Sequence, residues 1–150
     1  MMQFKYATLS DLELLIQIRI NDLLMFSDKQ IEQEVIENIR NFYKTKLETN
    51  ELITLLGFDN DKLVAHATIY QYLIMPSHEN KQGKVGQITN VYVDNNYRRL
   101  GYASKMIKQL IDHVKDDVGL ICLNSSLQTL PMYQKLGFKT KDNYLVYRRE

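Results

Sequence analysis

Residues 85–124 place the tightest restriction on the fold. The run VGQITNVYV reads as a strand that ends at the polar turn Asp94-Asn95-Asn96. Beyond it, Ala103, Met106, Ile107, Leu110, Ile111 and Val114 recur at helical spacing with lysines on the other side. That is an amphipathic helix with one face to bury. VGLICLN follows as a short, nearly unbroken apolar run, which predicts a strand buried on both faces. A strand, a crossover helix and a second strand imply one parallel pair.

The flanking segments build around that unit. Phe4 to Thr8 is a short strand candidate. Ser10 reads as an N-cap with Glu13 completing a capping box, and Leu9 and Leu14 fit the hydrophobic staple around it. The helix that follows carries Leu12, Leu15, Ile16, Arg19, Ile20 and Leu23 as one stripe, in which Arg19 is the odd member. Ser27 or Asp28 caps a second helix with the stripe Ile31, Val35, Ile39 and Phe42. The period then changes. ELITLLGF and KLVAHATIYQYLIM read as strands joined by a turn at Asp59 to Asp61, and Pro76 to Gly86 as a polar loop. Leu127 to Leu136 is a short helix ended by Gly137, and FKTKDNYLVYRRE suggests a last hairpin around Asp142-Asn143. The order β-α-α-β-β-β-α-β-α-β-β predicts an α/β (mixed α+β) fold. Its sheet is mostly antiparallel with one parallel pair, flanked by about four helices. With no linker or repeat in 150 residues, residues 1–150 read as a single domain.

Charge and composition remove several function classes. The balance of 19 basic and 18 acidic residues makes no electrostatic case for nucleic acid or an anionic membrane. Cys122 is the only cysteine, and His66, His78 and His113 are scattered without an HExxH spacing, so no metal site is expected. No apolar run approaches a membrane span, and the N-terminus lacks the apolar core of a signal peptide. The expectation is a reduced, cytoplasmic protein.

The chemistry is concentrated in VYVDNNYRRLGYASKMI. A strand ends, a basic glycine-containing loop follows, and a helix begins. Free N–H groups at a helix start, aided by its dipole, bind anions. Gly101 lets the backbone approach closely, Ala103 keeps the site open, and Arg98 and Arg99 add charge. These residues point to a phosphate-bearing ligand at 98–104. A solvated basic turn is the plainer alternative. Neither a GxxxxGK[ST] loop nor a GxGxxG fingerprint is present.

A second segment, LNSSLQTLPMYQKLGFKT, lies one strand and one helix further on. Together the two resemble the GNAT family of N-acetyltransferases. The phosphate loop [RQ]xxGx[GA] of that family is matched by Arg98, Gly101 and Ala103, and its LYxxxGF helix by Met132 to Phe138. The resemblance extends over nearly the whole chain and implies acetyl-CoA as donor. Backbone amides of Arg98, Arg99, Leu100, Gly101, Tyr102, Ala103 and Ser104 would hold its pyrophosphate. Val91, Tyr92 and Val93 would pair with the pantetheine arm and polarise the thioester carbonyl. Splaying of the two parallel strands would open the slot between them. Tyr133 would be the general acid for the leaving thiolate, and Ser126 would lie near the cofactor.

Arg19, Tyr72 and Asn90 are the acceptor-pocket candidates, although Arg19 could equally pair with a carboxylate and Tyr72 only pack. Tyr133 on a short amphipathic helix also has a plain packing reading. One departure stands out: Gln87-Ile88-Thr89-Asn90 carries no carboxylate where many members have a glutamate base, and the base is unassigned. The reading is acetyl transfer, or transfer of a longer acyl group, to a primary amine of a small molecule or peptide by direct attack. A non-catalytic acyl-CoA sensor or partner-binding module of the same fold is the alternative. Homodimers are common among proteins of this resemblance.

Overall fold

A computed structural model describes residues 1–149. Five strands form one sheet in sequence order: β1 (Met2–Tyr6), β2 (Leu52–Asp59), β3 (Lys62–Leu73), β4 (Lys84–Val93) and β5 (Leu120–Cys122). All neighbours are antiparallel except β4 and β5, which are the parallel pair that the 85–124 pattern requires. Four helices cover the sheet: α1 (Leu12–Phe26), α2 (Gln33–Glu48), α3 (Tyr102–Val114) and α4 (Leu130–Lys135). None is long and apolar enough to cross a membrane.

The sheet separates two cores. Met106, Ile107, Leu110 and Val114 of α3 pack with Leu55, Ala65, Ala67, Ile69, Ile88 and Tyr133 on one face. Leu15, Ile16 and Ile18 of α1 and Tyr43 of α2 pack with Leu52 and Leu56 on the other. The period-2 alternation of β2 and β3 sends successive side chains to opposite helices. Asn60, at a φ of 55°, turns the two-residue loop between them, a conformation that asparagine tolerates.

Four local expectations shift. The first cap lies earlier: Thr8 N–H donates to Asp11 Oδ2 at 2.8 Å, and Leu9–Asp11 form a 3₁₀ turn ahead of α1. The second helix starts at Gln33, after Glu32 in extended geometry, and not next to Ser27 or Asp28. The apolar run at 118–124 forms only the three-residue β5. It is the sheet's edge, with Leu120 42% exposed, so it is not buried on both faces. The last hairpin does not form, and residues 138–149 contain no strand. Their apolar side chains Tyr144, Leu145, Val146 and Tyr147 are exposed, so no burial drives them into a sheet.

Leu110 is fully buried between α3 and the sheet. Leu110→Ala should cost about 2–5 kcal/mol, read as a lower urea midpoint with an unchanged slope.

Candidate active site

The site begins with an irregularity in β4. His66 faces Tyr92 and Thr68 faces Thr89, so Ala67 opposes both Asn90 and Val91. Two residues against one make a β-bulge. Asn90 sits at its centre with a φ of 53° and is 6% exposed. The bulge aims its amide towards α1 and α2. Its Oδ1 accepts from Arg19 Nη1 at 2.9 Å, and its Nδ2 donates to the Tyr43 hydroxyl at 3.1 Å. Its backbone carbonyl lies 2.7 Å from His66 Nδ1. A carbonyl only accepts, so that nitrogen carries the ring proton. Burial moves the His66 pKa down and the Tyr43 pKa up to about 12.

Beyond Gln87, β4 loses its outer neighbour. β5 pairs only with Val85, Gly86 and Gln87, and the strands then part. The gap is a groove of about 800 Å³. Val91, Tyr92 and Val93 form one wall, Leu123 and Asn124 of the diverging segment another. Arg98, Arg99, Gly101, Tyr102, Ala103 and Ser104 line one end. Tyr133 and Ser126 line it from α4 and the segment before it.

The basic turn is held rigidly. Asp94 Oδ1 accepts from the Asn95 N–H at 2.9 Å. The Arg98 N–H donates to the Asn95 carbonyl at 3.3 Å, and Arg98 Nε donates to the Val93 carbonyl at 2.8 Å. Arg98 is therefore a brace, and its amide is already engaged. Arg99 and Gly101 have φ of 64° and 84°, and Gly101 is the N-cap of α3. A Cβ on Gly101 would meet nothing within 4 Å, so its freedom is needed for backbone conformation, with open space in front. The amides of the first turn of α3 have no intrahelical acceptor. Leu100 belongs to the turn, but its side chain is exposed and does not line the groove.

Tyr133 is both packed and accessible. Its ring meets Phe138 edge-on at 5.8 Å and belongs to the α3-side core. Among the described residues its hydroxyl has no hydrogen-bond partner and no fully buried side-chain N or O atom lacks one, so the hydroxyl is not sealed off, and Tyr133 lines the groove. Burial raises its pKa, which keeps the proton on at neutral pH. Ser126 Oγ accepts from the Thr129 N–H at 3.3 Å in the turn that leads into α4.

A smaller cavity of about 320 Å³ opens on the α1–α2 side. Arg19 and Asn90 line it. Tyr72 does not: its hydroxyl donates to Gln87 Oε1 at 3.2 Å and lies 3.7 Å from Cys122 Sγ. Burial and then the Cys122 contact push the Tyr72 pKa up to about 12. Its neighbour Tyr70 lines the cavity instead, edge-on to Phe42 at 5.0 Å. Val35, Ile39 and Phe42, read in sequence as a core stripe, form much of this wall. Thr89 and Asn90 border both cavities, so both reach the bulge.

The Acetyltransferase (GNAT) family profile matches residues 18–138. The chain belongs to the GNAT acetyltransferase family. Its fold is similar to the crystal structure of a predicted acetyltransferase with acetyl-CoA from Clostridium acetobutylicum, at 28% identity and a TM-score of 0.87 over 99% of this chain and 96% of that one. It is also similar to a GCN5-related N-acetyltransferase from Ralstonia eutropha, at 17% identity and a TM-score of 0.78 over 99% of each chain. Glucosamine-6-phosphate N-acetyltransferase from Arabidopsis thaliana matches at 18% identity and a TM-score of 0.69, again over 99% of each chain. No curated protein sequence matches.

One carboxylate in this GNAT groove escaped the sequence reading. Asp22 lines it and accepts from Arg19 Nη1 at 3.2 Å. The available signal was its position three residues after Arg19 on a helix, which puts both on one side. Tyr43 was also missed, since an aromatic four residues after Ile39 reads as a core residue and gives no hint of a partner on β4.

His66 predicts an acid-sensitive fold. Its pKa is lowered by folding, so below about pH 6.5 the unfolded chain takes up a proton that the folded chain resists. Stability is held above that pH and lost as pH falls towards the folded value. The urea midpoint should drop between about pH 7.5 and 5.5, and His66→Gln should shrink that drop. An equal drop in the variant would assign it to other groups.

Proposed function

We propose that residues 1–150 act as one domain that transfers an acetyl group from acetyl-CoA to a primary amine by direct attack. One observation supports this reading: the parted β4 and β5 form a groove lined by the basic turn and by Tyr133, and Asn90 borders both it and a second cavity. The relative described with acetyl-CoA supports the choice of donor.

The residues fit that donor. Amides from Arg99 to Ser104 would bind its diphosphate at the start of α3, with Arg99 adding charge. Lys108 and Lys135, with Asp112, border an adjoining depression next to Ser104. The unpaired edge of β4 at Val91, Tyr92 and Val93 would hydrogen-bond the pantetheine arm and steady charge developing on the thioester oxygen. The amine nitrogen attacks the carbonyl carbon, a C–N bond forms and the C–S bond breaks. Tyr133 gives its proton to the departing sulfur. With no carboxylate on β4 between Gln87 and Asn90, Asp22 takes the amine proton, directly or through water.

The missing strand carboxylate favours a second reading, an acyl-CoA-binding module without turnover. Thiol release with an amine panel separates the two, since the module releases none.

Two variants test the assignment. Gly101→Glu puts a negative side chain into the diphosphate space and should abolish acetyl-CoA binding in calorimetry. Retained affinity would remove the turn from the site. Tyr133→Phe should lower kcat about 100-fold with acetyl-CoA affinity kept. Unchanged kcat would leave Tyr133 a packing residue only.

A further inference from the structure

The second cavity has an unusual chemical balance. Val35, Ile39, Phe42 and Tyr70 make a greasy wall, and among the described residues lining it none is acidic. Its one charge is Arg19, with a third of the side chain exposed. The guanidinium donates to Asn90 Oδ1 and to Asp22 Oδ2, both from Nη1. A guanidinium offers five N–H donors in a planar fork suited to a carboxylate, so the Nε and Nη2 side can serve an incoming anion. Polycationic amines find no counter-charge there. An apolar body with one anionic group does.

The spacing narrows the class. Asn90 borders both the cavity and the groove, so an amine of an acceptor in the cavity that faces the donor lies beside it. Arg19 Nη1 is 2.9 Å from Asn90 Oδ1. The amine and the anion of the acceptor must therefore be adjacent groups. Both sit on one carbon in an α-amino acid, whereas a phosphorylated sugar holds them several atoms apart. A volume of about 320 Å³ is at the small end for ligand sites.

Building on the proposed acetyl transfer, we infer that the acceptor is a free α-amino acid with an apolar or aromatic side chain. Its carboxylate is held by Arg19, its side chain lies against the wall of Val35, Phe42 and Tyr70, and its amine is presented at Asn90. The nitrogen forms the amide bond with the acetyl carbon, coenzyme A leaves as the thiol, and the amine's proton passes to Asp22 or water.

The test is thiol release from acetyl-CoA with L-phenylalanine, L-leucine, L-phenylalaninamide, phenethylamine and spermidine. The two amino acids should exceed the other three in kcat/KM by at least about 10-fold, one bidentate ion pair's worth. The amide has the more readily deprotonated amine, so the expected order runs against intrinsic reactivity. Arg19→Ala should raise KM for L-phenylalanine at least about 10-fold and erase its advantage over phenethylamine, while Arg19→Lys restores part of it. Calorimetric titration of acetyl-CoA should be unchanged in both variants, which also shows that they fold. Equal or better turnover of spermidine, phenethylamine or the amide would overturn the inference and leave acetyl transfer standing. So would acetyl-CoA binding with no amino acid acetylated. Failure to bind acetyl-CoA at all would instead overturn the proposed function.

Discussion

The parting of β4 from β5 is the constraint on which the rest depends. A parallel pair shares backbone hydrogen bonds along its whole length when both strands run on. Here it stops after three register pairs, Val85 with Leu120, Gly86 with Ile121 and Gln87 with Cys122. The outer edge of β4 beyond Gln87 is left with polar backbone groups that need partners. The crossover helix α3 begins at the top of the same strand, so its unsatisfied amides open onto the same gap. One interruption of pairing thus exposes a strand edge and a helix start side by side.

The bulge at Asn90 does the complementary work on the inner side. An extra residue in β4 turns one amide out of the sheet and into a chain of contacts, Asp22 to Arg19 to Asn90 to Tyr43. These residues come from α1, β4 and α2. The chain ties both helices of one layer to the strand that borders the groove. It also explains why an arginine can occupy an otherwise apolar stripe: Arg19 is half-buried with two oxygen partners, so its charge is not stranded. His66 secures the bulge from the next strand by donating to the Asn90 carbonyl. Burial disfavours the charged ring while the bond to Asn90 favours it, and burial is the larger effect, so acid acts against the fold by charging a buried ring.

Much of this was legible in the residues themselves. The 85–124 pattern yields the parallel pair because a 3.6-residue stripe between two strand-like runs has few other ways to bury itself. Arg98, Gly101 and Ala103 mark the turn because their chemistry is local, and all three line the groove. Tyr133 is legible from the short helix and its glycine stop. The misses are non-local. The stripe Val35, Ile39 and Phe42 announces an apolar face, but hydrophobicity alone does not distinguish a core from a cavity wall. The alternation in NYLVYRR announces a strand, yet pairing needs a neighbouring edge that this segment does not engage. Arg98 stands out by charge, and only the closeness of the Val93 carbonyl shows that it also braces the loop.

Sequence alone determined the order of elements, the single parallel crossover and the basic glycine turn that starts α3, because each follows from periodicity and backbone freedom within a few residues. Tertiary structure alone decided where β5 leaves β4, that Asn90 is the residue of the bulge, and that Asp22, Arg19 and Tyr43 converge on it. Those outcomes depend on register between strands and on packing between helices far apart in the chain, and a one-residue shift in register would turn Asn90 to the opposite face, away from α1 and α2.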